Sequence, residues 1–111
     1  MTHIRIELDD TLFLDGNEIC AYVADQEYIY SLESIEKIVL LTTDMGPFYD
    51  DMGLAIDVGN NTAIFIMSEH KCFKDFLFEQ IGKVLPIDYQ KVIEASTCIE
   101  QNVFVIYRKN G

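Results

Sequence analysis

Basic residues are scarce in this sequence: 8 Lys and Arg stand against 19 Asp and Glu in 111 residues, a formal net charge of −11. A field of that sign repels nucleic acid and anionic membrane and favours basic protein surfaces. Long apolar runs are also missing. Ile38-Val39-Leu40-Leu41 and Ala63-Ile64-Phe65-Ile66-Met67 are the longest, far too short to span a bilayer. Met1-Thr2-His3-Ile4-Arg5 lacks the basic-then-apolar order of a secretion signal, so the expected compartment is the cytoplasm. The three cysteines, Cys20, Cys72 and Cys98, are odd in number and widely spaced, which argues for free, mostly buried thiols. With only His3 and His70 beside them there is no zinc spacing, and Gly46, Gly53 and Gly59 stand alone, which excludes a Gly-rich phosphate loop. No cofactor is expected.

What is present suits one folded domain, residues 1–111. Half of the chain is hydrophobic, with 7 Phe and 6 Tyr, enough for a core without a metal or disulfide staple. The charge is unevenly placed. Residues 1–57 hold thirteen Asp and Glu against Arg5 and Lys37 alone, whereas residues 58–111 hold six of each sign. The acidic excess therefore lies wholly in the first half.

Ile4, Ile6 and Leu8 alternate with Arg5, Glu7 and Asp9, the period of a half-buried strand that Leu12 to Leu14 extends. Asp15-Gly16-Asn17 is turn chemistry; Ile19 to Val23, Tyr28 to Ser31 and Ile35 to Thr42 read as further strands. Met52 to Val58 and Ala63 to Ser68 predict a hairpin around Gly59-Asn60-Asn61. After Ser68 the period becomes helical, with Phe73, Phe76, Leu77, Ile81, Val84 and Leu85 on one face until Pro86. Asp88 caps a second helix to Ala95 whose apolar side carries Val92, Ile93 and Tyr89. Val103 to Tyr107 is a last strand, either an edge able to pair with its copy in a homodimer or inserted in the sheet interior. The expected fold is α+β: a mostly antiparallel meander sheet of about six or seven strands, with two helices from the second half packed on one face.

Catalysis finds little support in the residues. His70 and Cys72 lie two apart at a strand-to-helix junction, where a thiol can be activated, but Cys72 beside Phe73 and Phe76 reads more simply as a small buried residue. Asp9-Asp10 and Asp50-Asp51 are adjacent pairs that point to opposite faces of a strand and do not converge. Binding has more. Asp44-Met45-Gly46-Pro47-Phe48-Tyr49-Asp50-Asp51 joins aromatic anchors, a conformational restraint and negative charge, the ingredients of an interface toward a basic partner. The competing reading folds Phe48 and Tyr49 back over the end of the core.

Ser31-Leu32-x-x-Ile35-x-x-Ile38, Thr42-Thr43-Asp44, Gly46-Pro47-Phe48, Asp50-Asp51, Leu85-Pro86-x-Asp88-Tyr89 and the closing Val103-Phe104-Val105-Ile106-Tyr107-Arg108 resemble the immunity proteins of bacterial polymorphic-toxin and contact-dependent growth inhibition systems. The meander-then-helix order is also similar to pleckstrin-homology-like scaffold domains. The first resemblance implies an antitoxin that is not an enzyme. Its partner would be a basic protein toxin, a nuclease, captured by electrostatic complementarity. It points to Asp44, Phe48, Tyr49, Asp50 and Asp51 as partner-binding residues, with Asp9, Asp10 and Asp15 as electrostatic support. The second implies a protein-binding scaffold unrelated to toxins.

Overall fold

A computed structural model describes residues 2–42, 52–97 and 101–109. Runs rich in β-branched and aromatic residues form eight strands among the described residues: β1 (Thr2–Ile6), β2 (Thr11–Asp15), β3 (Glu18–Val23), β4 (Gln26–Ser31), β5 (Lys37–Thr42), β6 (Met52–Gly59), β7 (Thr62–Met67) and β8 (Asn102–Arg108). Helix α1 is π-helical over Asp75–Ile81 and closes with an α-helical turn, Gly82–Val84; helix α2 spans Tyr89–Thr97. The α+β class is as expected. Among the described residues no helix is long and apolar enough to cross a membrane.

The single meander is not formed. The strands make two sheets, a five-stranded one in the order β1-β7-β6-β5-β8 and a three-stranded antiparallel one in the order β2-β3-β4. The chain leaves β1 through a turn fastened by Asp10, whose backbone N–H donates to the Glu7 carbonyl (3.0 Å) while its carboxylate accepts the Glu7 N–H (2.8 Å). β1 then pairs in parallel with β7, Ile4 beside Ile64 and Ile6 beside Ile66. All four isoleucines are buried. A parallel neighbour requires a long crossover, here the whole chain between β1 and β7, so no local pattern announces it.

One side of the large sheet is covered. Ile38, Leu40, Leu54, Ile56, Ile64 and Ile66 are fully buried there and join Leu12, Ile19 and Ala21 of the small sheet in one core. Helix α1 adds Phe76, Leu77 and Ile81 and packs on β2, where the Leu14 N–H donates to Gln80 Oε1 at 2.6 Å. Helix α2 lies against β5 and β8 and buries Val92 and Ala95. Three expected helix-face residues point elsewhere: Val84 is 50% exposed, Ile93 59% and Tyr89 40%. The π-helix has a wider turn than an α-helix, which rotates Val84 off the face that Phe76 and Ile81 occupy. Asp88 does cap α2, accepting the Lys91 N–H at 3.3 Å.

The strand β8 is an edge. A β-bulge at Ile106 interrupts its pairing with β5, the Asp88 N–H donates to the Ile106 carbonyl (2.8 Å), and Asn102 Oδ1 takes the Val103 N–H (2.8 Å). Bulges and local partners of this kind blunt an edge against strand addition. Among the described residues, no element packs on the other side of the large sheet. Its rows run Arg5-Phe65-Ala55-Val39-Val105, Met67-Gly53-Leu41-Val103, and His3-Ala63-Asp57-Lys37-Arg108.

Candidate functional site

Asp44, Phe48, Tyr49, Asp50 and Asp51 lie outside the described residues. The other three expected binding residues do not share one place. Asp9 is exposed at the turn after β1. Asp10 is half-buried, and both of its carboxylate oxygens accept backbone N–H groups, from Glu7 (2.8 Å) and from Ala24 (3.2 Å). It ties the β1–β2 turn to the β3–β4 turn, where Ala24 and Asp25 take positive φ. Asp15 stands on the outer surface of the small sheet, directly opposite Glu18.

That outer surface is the feature with binding character. The register of β2, β3 and β4 aligns Thr11-Tyr22-Glu27, Phe13-Cys20-Ile29 and Asp15-Glu18-Ser31, all on the side turned away from the core. The side facing the core carries Leu12, Leu14, Ile19, Ala21, Tyr28 and Tyr30 instead. Phe13 and Tyr22 stack at 5.7 Å with an interplanar angle of 16°. Tyr22 is 42% exposed and Ile29 46%. An apolar, aromatic centre is thus rimmed by Asp15, Glu18 and Glu27, and the sequence holds no Lys or Arg between Arg5 and Lys37 to neutralise them.

The field at the centre of this face registers on Cys20. Burial raises its thiol above the ordinary range, and Asp15, Glu18 and Glu27 each push it further up. All three carboxylates therefore act on one point. The Tyr22 hydroxyl is held above the usual phenol range first by its hydrogen bond to the Glu27 carboxylate, with its partial burial and the charge of Glu27 adding to this. A basic partner would relieve the mutual repulsion of the rim while covering the rings.

Sequence reasoning placed the charge in this half and missed the aromatic centre. A signal was present: Leu12-Phe13-Leu14, Ile19-Cys20-Ala21 and Tyr28-Ile29-Tyr30 are consecutive apolar runs in neighbouring short strands. Since successive strand residues point to opposite faces, such runs supply apolar groups to both sides of the sheet, and only one side has a core.

His70 and Cys72 form no nucleophile pair here. The Cys72 backbone N–H donates to His70 Nδ1 (3.0 Å), so the neutral ring donates from Nε2 to the Glu7 carbonyl (2.8 Å). Both ring nitrogens are taken by backbone groups. His70, buried, joins the start of α1 to the turn that Asp10 fastens. His70→Ala is expected to lower stability by about 1–3 kcal/mol, the range for losing two such bonds and leaving a buried donor unpaired; urea unfolding followed by circular dichroism measures it. Among the described residues no cluster of three or more His, Cys, Asp or Glu could hold a metal ion. Comparison with protein-family models, with curated proteins and with solved structures finds no match.

Proposed function

We propose that this chain is a cytoplasmic immunity protein that neutralises a cognate bacterial toxin by tight non-covalent binding, through the outer face of its three-stranded sheet. The observation that carries the reading is the pairing, on one surface, of exposed Tyr22 and Ile29 with the Asp15, Glu18 and Glu27 carboxylates and no basic side chain. Aromatic anchors inside a charged rim are what a high-affinity interface uses. A nuclease must hold a polyanion, so its substrate surface is basic. An acidic aromatic face complements that surface and competes with nucleic acid for it. The excess negative charge also speeds capture, which matters when few toxin molecules suffice to do harm. The resemblance of Ser31–Ile38 and Leu85–Tyr89 to immunity proteins agrees with this reading.

Co-expression with the open reading frame immediately upstream tests it. The expected result is a neighbour that stops growth when alone, rescue by this chain, and a complex that co-purifies. A harmless neighbour, or a toxic one neither bound nor rescued, rejects immunity and favours a scaffold domain.

A further inference from the structure

The open side of the five-stranded sheet is a second surface of different character, and it is self-complementary. We propose that two copies pack these sheets face to face about a two-fold axis running along the strands between β5 and β6. This inference does not depend on the toxin reading.

The register carries it. On the open side β5 presents Lys37, Val39 and Leu41, and β6 presents, in the same rows, Asp57, Ala55 and Gly53. One strand is large and basic, its neighbour small and acidic. An axis between them lays β5 of one copy over β6 of the other. Lys37 then faces Asp57 of the second copy, twice by symmetry. Val39 faces Ala55, and Leu41 faces Gly53. An added Cβ at Gly53 would lie 2.8 Å from the Phe65 ring, so that ring and the Met67 sulfur form an apolar floor where Leu41 of the second copy lands. Sheets in aligned sandwiches cross at about 30°, so the match is closest near the axis, where these six residues lie.

Charge decides between a second copy and other occupants. The chain as a whole carries −11, which opposes self-association through most of its surface. This side is the exception: its rows hold Arg5, Lys37 and Arg108 against Asp57, and with Glu7 paired to Arg5 at 3.4 Å the two signs are close to balance. The acidic face of the small sheet points away from it, since the core lies between them. Edge pairing through β8, the other route to a homodimer, is obstructed by the bulge at Ile106 and by Asp88 and Asn102. Five strands and three rows span roughly 400–500 Å² in projection, below the roughly 800 Å² per partner of a standard interface. The dimer is accordingly weak, with a dissociation constant of about 10–100 μM.

Sedimentation equilibrium of the full chain up to about 1 mM tests this. Wild type is expected to dimerise. Lys37→Asp and Asp57→Lys, each alone, set like charges across the axis and should weaken association at least about 10-fold. Mixed in equal amounts they become complementary, and a heterodimer at least as tight as wild type is expected. That recovery cannot come from repaired folding within either chain. Ala55→Glu, whose added carboxylate would stand on the open side, should also abolish association with its circular dichroism unchanged. A wild type monomeric at about 1 mM, a mixture no tighter than its components, or association indifferent to Ala55→Glu would overturn the proposal.

Discussion

Tyr22→Ala combined with Glu27→Lys is expected to weaken the proposed complex with a toxin by about 100–1000-fold and to leave the fold intact. The two residues are cross-strand partners in one row, and the Glu27 carboxylate is the main cause of the raised Tyr22 hydroxyl pKa. Removing the ring takes away the anchor that stacks on Phe13, and reversing the charge at residue 27 puts a like charge against a basic partner. Neither side chain supports the core: Tyr22 is 42% exposed and Glu27 is exposed. The melting temperature should therefore move by no more than about 3 °C. Titration calorimetry at two salt concentrations checks the result, because the wild-type affinity should fall more steeply with salt than that of the variant. Unchanged affinity would reject this face. Alanine at Phe48, Tyr49, Asp50 and Asp51 is the parallel experiment, and loss there alone would move the interface to that segment.

How far the sequence foretold this arrangement depends on the range of the interaction concerned. The β6–β7 hairpin around Asn60-Asn61, both at positive φ, was legible because its turn chemistry is local. So was the Asp88 cap, and so was the acid-rich first half. The division into two sheets was not. It rests on β1 joining β7 across a large separation in sequence and on a turn at Glu7–Asp10 that reads, residue by residue, like more alternating strand. The same division creates the candidate face, since a separate three-stranded sheet has an outer side that a continuous meander would have placed differently. Asp10 shows the limit from the other direction. The sequence suggested it as electrostatic support for a partner, but two backbone N–H groups occupy its carboxylate.

The π-helical geometry of α1 leads to an expectation opposite to the usual helix rule: Gly82→Ala should destabilise the protein by about 2–4 kcal/mol. In an ordinary helix interior Ala is better than Gly by about 1 kcal/mol. Gly82 has helical angles, φ −67° and ψ −16°, so backbone freedom does not explain it. Space does. A Cβ there would lie 2.5 Å from the Leu77 carbonyl oxygen, the group five residues earlier that a π-turn brings beneath it, and would overlap the Tyr89 hydroxyl. The Tyr89 ring could swing away only by giving up its stack on Phe78, at 6.0 Å and 18°. The carbonyl could yield only if the segment reverted toward α-helical winding, which would turn Phe76, Leu77 and Ile81 relative to the core that buries them. A fall in melting temperature of about 8–16 °C is the expected reading. In Tyr89→Ala the hydroxyl obstacle is gone and the carbonyl remains, so the glycine substitution should cost less on that background; a double-mutant cycle separates the two contacts. A rise in stability on Gly82→Ala would mean that α1 winds as a regular helix, and the exposure of Val84 would then need another cause.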